Sequence, residues 1–171
     1  MTHFVELGLG DHGLWFKGPF FYEGLINTPL LIAGPGVKTG LEHNSLSSAV
    51  DLVPTVCDAL GVEIPFWNEG VSLLPMLRGE AEKVRDSCCI EYRNGYGEND
   101  IASRTLVTDR YKYTRYETKA EELTDLTTDP AESTNIAADP DRKETVEIMR
   151  TALLDACLAA KSRYPRQISH A

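Results

Sequence analysis

The chain has 171 residues, of which 42% are apolar and 25% are charged, ordinary values for a protein long enough to bury a core. Its 26 acidic and 17 basic side chains give a formal net charge of −9. This charge argues against nucleic acid and against an anionic membrane surface as partners, because both bind basic faces. The apolar runs are also far shorter than the ~18 residues that a membrane-spanning helix needs.

Near the start of the chain, residues 10–18 bring together an acid, an imidazole and an ammonium group. These are Asp11, His12 and Lys17, in a segment rich in glycine. An ammonium is a compact charge with three donors, which suits a sulfate or phosphate oxygen. The segment therefore predicts one wall of an anion site. Each residue also has a plainer alternative. Lys17 could be a solvated surface lysine, and His12 could be a loop histidine bonded to a carbonyl oxygen.

After this loop the sequence predicts a short buried strand at residues 30–32, ended by a Gly-Pro-Gly turn. A helix follows, with Asp51 as its predicted N-cap and Gly61 as its end. A further short element is predicted at residues 73–77. The apolar positions of the helix repeat every four residues on one face: Leu52, Val56 and Leu60.

From residue 87 onwards the pattern changes to one typical of strands, with turn clusters between the segments. An antiparallel meander of four strands is predicted, at Ser87–Arg93, Ala102–Thr108, Tyr111–Tyr116 and residues 123–126. A final helix is predicted with Asp139 as its cap and Pro140 at its first position. Its apolar stripe is predicted to pack across the meander: Val146, Met149, Leu153, Leu154, Cys157 and Leu158.

The four cysteines lack the C-x-x-C spacing of a zinc site, which favours buried free thiols in a reducing compartment. Cys88 and Cys89 are adjacent in a predicted strand, so they are expected on opposite faces of the sheet. Cys57 and Cys157 are expected on the apolar faces of helices.

Several of these segments, in this order, resemble the type I sulfatases of the alkaline phosphatase superfamily. The family's pattern here is D/E-H-G-x-W-x-K, then an aromatic-Glu-Gly segment, then P-L-I-I-x-G-P-G. This chain has the first part at residues 11–17, the second at residues 22–24 and the third at residues 29–36. The family's E-L-Y-D-L-x-x-D-P-x-E-x-x-N segment is also matched, with Thr124 in place of the usual aromatic residue.

In that family the first of these segments lies well past the middle of the protein, so the resemblance implies the C-terminal part of an enzyme. The implied fold is α/β, or α+β for this part in isolation. Residues 1–80 would form the end of the large sulfatase α/β domain. Residues 81–171 would form a small four-stranded antiparallel sheet covered by the C-terminal helix. The strand at residues 30–32 would then have an uncovered edge, so self-association of the chain, as a homo-oligomer, is expected.

The resemblance also implies roles for the residues of the loop. Lys17 is expected to contact the sulfate group of the substrate, and His12 to donate to the ester or sulfate oxygen. Asp11 is not expected to bind a metal ion. The family's metal-binding Asp-His or Asp-Asn pair stands several residues further upstream, where this chain has His3 and Phe4.

The family's nucleophile is a formylglycine made from Cys or Ser in a C/S-x-P-x-R motif. The nearest match begins at Cys89 and has Glu91 where proline is required. The resemblance therefore implies sulfate ester hydrolysis with Ca²⁺ in a longer parent enzyme, no metal ion on this chain, and no turnover by the chain alone. Two alternatives stay open: a non-catalytic or degenerate domain with a structural or oligomerisation role, and part of a related phosphonate or phosphodiester hydrolase.

Overall fold

The computed structural model describes residues 11–14, 18–93 and 101–162, with only the backbone for Asp11, Lys161 and Ser162. Within them the helices are α1 (Glu23–Ile26), α2 (Leu52–Leu60), α3 (Leu74–Leu77) and α4 (Lys143–Ser162). The strands are β1 (Ser87–Arg93), β2 (Ala102–Thr108), β3 (Tyr111–Tyr116) and β4 (Glu121–Asp125). No helix among the described residues is long and apolar enough to cross a membrane.

The chain divides into two compact units. The first joins Met1–Leu31 with Cys89–Thr151, and the second joins Ile32–Cys88 with Ala152–Ala171. The sheet and the start of α4 belong to the first unit, whereas α2 and α3 belong to the second. The predicted domain boundary at residue 80 refers to a whole enzyme, and it stays a prediction.

The four strands form one sheet in chain order, β1-β2-β3-β4, and the pairs β2–β3 and β3–β4 are antiparallel. Tyr113 in the middle of β3 stands opposite Leu106 of β2 and Leu123 of β4. The turn between β2 and β3 is tight because the Thr108 hydroxyl accepts a hydrogen bond from the Tyr111 N–H at 2.9 Å. The predicted antiparallel meander is confirmed, with β4 beginning slightly earlier than predicted.

The core of the first unit is built from the inner face of this sheet and the start of α4. Leu106, Tyr113 and Leu123 are fully buried, and so are Val146 and Met149 of the predicted helical stripe. Burying an aliphatic or aromatic side chain of this size stabilises a fold by roughly 1.5–3 kcal/mol. The stripe of α4 therefore contributes to the core at the positions where the helical period brings it inward.

Helix α4 begins where the sequence predicts. The Asp139 carboxylate accepts a hydrogen bond from the Asp141 N–H at 2.9 Å, and Pro140 opens the short 3-10 turn that leads into the helix. The prediction was wrong for Leu154 and Leu158, which are both 58% exposed. Each of these two residues directly follows an inward-facing position of the helix in the sequence. A step of one residue turns the side chain by about 100° around the helix axis, so both lie outside its buried face.

In the second unit, Gly61 ends α2 in a left-handed conformation with φ of 66°, as predicted. Asp51 stands at the predicted N-cap position of this helix, but its side chain makes no hydrogen bond to the first turn of α2. It belongs instead to a capping box of the 3-10 turn Ala49–Asp51, whose N-cap is Ser48. Its carboxylate is fully buried and accepts hydrogen bonds from the backbone N–H groups of Ser48 and Val71, each at 2.8 Å. Arg85 also donates to it. Asp51 therefore joins three segments of the unit.

The buried strand predicted at residues 30–32 is wrong for this chain, because these residues are irregular and Leu31 is 89% exposed. A strand needs a neighbour to take its backbone hydrogen bonds, and no described strand pairs with this segment. The apolar face of α2 is uncovered as well, with Val56 and Leu60 exposed. The predicted self-association stays a prediction.

The four cysteines are free thiols, and Cys88 and Cys89 lie on opposite faces of β1 as predicted. Cys88 is buried, Cys57 and Cys157 are half-buried, and Cys89 is exposed, so the expectation of burial was wrong for Cys89. Alternation along β1 is the reason, since one neighbour must face outward when the other faces the interior. Burial raises the pKa of the Cys88 thiol, which keeps it protonated and unreactive.

A carboxylate network on the sheet should make the first unit sensitive to acid. Arg150 donates two hydrogen bonds to Glu121 at 2.9 Å, and the Tyr113 hydroxyl donates at 2.6 Å. The hydrogen bonds from Arg150 are the main cause that lowers the pKa of Glu121, to about 2. Burial raises this pKa, whereas the hydrogen bond from Tyr113 and the charge of Arg115 lower it further. The stability that Glu121 contributes is therefore complete above the unfolded pKa of 4.5 and lost as pH falls towards 2.

We expect this loss to be roughly 1–2 kcal/mol between pH 5 and pH 2.5, because Glu121 is partly exposed to solvent. Urea unfolding followed by circular dichroism at a series of pH values measures it. Glu121→Gln should lower stability at pH 7 and flatten the profile, whereas the exposed Glu117→Gln should change neither. An unaltered slope in Glu121→Gln would contradict the assignment.

Candidate functional site

His12 is the predicted site residue that the structure describes. It lies in the 3-10 turn Asp11–Gly13 and adopts a left-handed conformation, with φ of 50° and ψ of 21°. Its side chain is exposed, and its ring stacks on the ring of Tyr22 with centroids 3.7 Å apart and planes 7° apart. A left-handed non-glycine residue costs free energy, and such residues are common in ligand-binding loops.

Lys17, the predicted sulfate contact, lies outside the described residues, and so does the side chain of Asp11. Their predicted roles therefore stay predictions. The structure does describe the backbone on both sides of Lys17, at residues 11–14 and from Gly18 onwards.

The segment that follows Lys17 is held against the outer face of the sheet. Phe21 is buried, and Tyr22 is half-buried between His12 and the sheet. The Ser103 hydroxyl donates a hydrogen bond to the Pro19 carbonyl oxygen at 3.3 Å. Burial is the main cause that raises the pKa of Tyr22, followed by the negative charges of Glu122 and Glu132. Tyr22 is therefore a neutral phenol that packs, not a phenolate.

A charged cluster under this segment is the feature that the sequence did not reveal. Lys112 in β3 is only 5% exposed and is bonded to two carboxylates, those of Glu23 and Glu132. The sequence predicted only that Lys112 lies in a strand of the meander, and it assigned no role to Glu132. The one signal available was a lysine inside a strand rich in aromatic residues, which does not by itself indicate burial.

The cavity beside this cluster has a volume of about 20 Å³. That volume holds about one water molecule and is too small for a sulfated sugar or an aryl sulfate. It is lined by Phe21, Tyr22, Lys112, Thr114, Glu122, Thr124 and Glu132. The cavity that these described residues form is therefore too small to be a substrate pocket.

No group of three or more His, Cys, Asp or Glu side chains in the described part of the chain is arranged to hold a metal ion. The Ca²⁺ ion implied by the resemblance thus has no ligand set among those residues.

Residues 10–158 match the family described as "N-sulphoglucosamine sulphohydrolase, C-terminal". The chain belongs to the sulfatase family. The match begins at the loop that carries His12 and Lys17 and runs through most of α4, so it includes both compact units. The predicted family and the predicted fold class, a four-stranded antiparallel sheet with a C-terminal helix in an alkaline-phosphatase-like sulfatase, are confirmed.

Individual sulfatases are similar over most of the chain. The Delta 4,5-hexuronate-2-O-sulfatase of Bacteroides thetaiotaomicron is 35% identical over 162 residues, which cover 92% of this chain and 34% of that protein. The choline-sulfatase of Rhizobium meliloti is 40% identical over 136 residues, 77% of this chain and 25% of that protein. A solved 2-O GAG sulfatase superposes with a TM-score of 0.79 at 33% identity, covering 90% of this chain and 34% of that one. The chain spans about a third or less of the length of these relatives.

Proposed function

We propose that this chain supplies the C-terminal part of an enzyme that hydrolyses sulfate esters. The observation that carries the proposal is the 35% identity to a hexuronate-2-O-sulfatase over 92% of the chain, in a match that includes the loop with His12 and Lys17. Two sulfatases of different substrates are similar to the same region. Because the names of these two proteins give different substrates, the proposal is limited to the sulfate group of the substrate.

Within this proposal, Lys17 contacts a non-bridging oxygen of the sulfate group. In hydrolysis the S–O bond to the alcohol breaks, and negative charge develops on the leaving oxygen and on the sulfate oxygens. An ammonium in contact with the group stabilises that charge in the transition state. His12 is exposed and precedes Lys17 by five positions in the sequence. In this proposal its imidazole donates a proton to the leaving ester oxygen.

The nucleophile and the Ca²⁺ ion are assigned to the rest of the enzyme. Ca²⁺ prefers several carboxylate and carbonyl oxygens, and the described residues offer no such group. The proposal therefore gives this chain only the contacts of Lys17 and His12, and the isolated 171-residue chain is expected to show no turnover.

A structural role is the second candidate, and one observation favours it. The second unit exposes several large apolar side chains, which are more typical of a surface that another protein covers. They are Leu60, Val62, Phe66 and Trp67, together with Val56. A second copy of this chain on these side chains would support the structural role, whereas covering by the rest of a sulfatase would support the first proposal.

A hybrid enzyme tests the proposed function. Residues 10–158 of this chain replace the matching third of the hexuronate-2-O-sulfatase, and release of sulfate is measured with that enzyme's own substrate. We expect turnover by the hybrid and none by the 171-residue chain, whose mass in solution is measured by light scattering in parallel. Turnover by the isolated chain, or a folded hybrid without turnover, would refute the proposal. A phosphonate ester tested on the same hybrid separates the related hydrolase activity.

A further inference from the structure

Lys112 is a buried charge in the middle of a strand, which is a costly position for an ammonium group. Only 5% of its side chain is exposed, and it forms ion pairs with Glu132 and with Glu23, the latter at 3.2 Å. Taking the ammonium of Lys112 and the carboxylate of Glu132 out of water is costly, and the attraction between them roughly offsets that cost. A buried ion pair of this kind is thus weak evidence for stabilisation. The presence of a lysine at this buried position needs another explanation.

The cluster connects segments that are far apart in the chain. Glu132 accepts a hydrogen bond from the backbone N–H of Glu23 at 2.6 Å, across a separation of 109 residues. Lys112 reaches the Glu23 carboxylate across a separation of 89 residues. Glu132 itself holds a left-handed backbone conformation, with φ of 55°. Both the backbone and the side chain of Glu23 are therefore held on the outer face of the sheet.

Fixing Glu23 also fixes its neighbour Tyr22, on which the ring of His12 stacks at 3.7 Å. Tyr22 also stacks on Phe20, with ring centroids 6.1 Å apart, whereas His12 itself lies in a short turn with a left-handed backbone. The contacts thus run from Lys112 and Glu132 through Glu23 and Tyr22 to His12.

We propose that Lys112 and Glu132 are positioning residues that hold the Tyr22–Glu23 segment, and through it His12, in the geometry of the sulfate site. That the positioned loop forms a sulfate site rests on the proposed function. That Lys112 and Glu132 position His12 does not. In this role the cluster acts through the loop. Its polar character specifies one location for the segment, which an apolar contact would specify less strictly because it has no direction.

The experiment reads the position of His12 directly, by NMR of the 171-residue chain with histidine rings labelled at Cε1. The chain has four histidines, and His12→Gln identifies the signal of His12. A ring stacked on Tyr22 carries a ring-current shift, and Tyr22→Leu defines its complete loss. We expect Lys112→Met to remove most of this shift.

A second variant keeps the test informative if Lys112→Met does not fold. Lys112→Met with Glu132→Met removes both charges, and replacement of a buried ion pair by apolar residues is often neutral or stabilising. If the cluster only stabilises the fold, the ring-current shift of His12 should be present in any variant that is as stable as the unaltered chain. The positioning role predicts that the shift stays lost in a stably folded double variant. Retention of the full shift in that variant would overturn the proposal.

Arg110→Met is a control on the same sheet, because it removes another ion pair, that of the half-exposed Arg110 with Asp125. It should leave the His12 shift in place, and loss of the shift here would also count against a specific role for Lys112. In the hybrid enzyme the double variant should lower kcat/KM about 100-fold, as misplacement of a reacting group does. If the double variant loses the ring-current shift but the unaltered hybrid shows no turnover, the proposed function is refuted. The positioning role of Lys112 and Glu132 would still be supported.

Discussion

Asp51→Asn should lower the free energy of unfolding by about 3–5 kcal/mol, the largest stability effect expected in the second unit. The Asp51 carboxylate is fully buried and accepts from two backbone N–H groups and from Arg85. An asparagine offers one acceptor and two donors in its place. One backbone N–H then loses its acceptor, and the mostly buried guanidinium of Arg85 loses its counter-charge. Urea unfolding followed by the fluorescence of Trp67 measures the change; Trp15→Phe removes the other tryptophan.

Asp58→Asn is the matched control, seven residues further along the same helical region. Asp58 is exposed and accepts one hydrogen bond, from the Ser72 hydroxyl at 2.6 Å. Its replacement should change stability by no more than about 0.5 kcal/mol. Equal effects of the two substitutions would show that Asp51 does not join the segments of the unit as described.

Lys17→Ala should lower kcat/KM of the hybrid enzyme by about 10²–10³-fold, the largest effect expected on activity. The physical reason is that a positioned donor next to developing negative charge stabilises the transition state more than the ground state. The measurement is the rate of sulfate release over a range of substrate concentrations, so that kcat and KM are obtained separately. A fall in kcat would indicate a contact made mainly in the transition state, and a rise in KM alone would indicate uniform binding.

Lys143→Ala is the control for a general effect of removing a positive charge. Lys143 is exposed at the start of α4 and has no role in the proposed site. Its replacement should leave kcat/KM nearly unchanged. If Lys17→Ala is also nearly unchanged, Lys17 is a solvated surface residue and the sulfate contact has to be assigned elsewhere.

Local signals in the sequence were sufficient for much of the fold. The turn between β2 and β3, the end of α2 at Gly61 and the start of α4 at Asp139 were all predicted correctly. Each of them is determined by a few consecutive residues whose backbone preferences and hydrogen bonds are satisfied within the segment itself. The alternation along the strands likewise predicted the meander, because inward and outward positions follow one another in the chain.

Features that depend on distant partners could not be predicted in this way. Asp51 looked like a helix cap, and its carboxylate does accept from the nearby Ser48 N–H in a capping box. It also serves Val71 and Arg85, which approach it only in the folded unit. The segment at residues 30–32 has the composition of a strand but no described neighbour to pair with. Composition indicates what a segment prefers, whereas burial depends on what covers it.

The sequence by itself determined the family of this protein, the four strands of the sheet with the helices α2 and α4, and the loop with His12 and Lys17 as the candidate anion site. It could do so because motifs and periodic patterns are local. Only the tertiary structure decided that Lys112 is buried between Glu23 and Glu132, and that Tyr22 carries the ring of His12. The pairs around Lys112 join residues 20 to 109 positions apart, so their energies depend on a geometry that exists only after the sheet has formed.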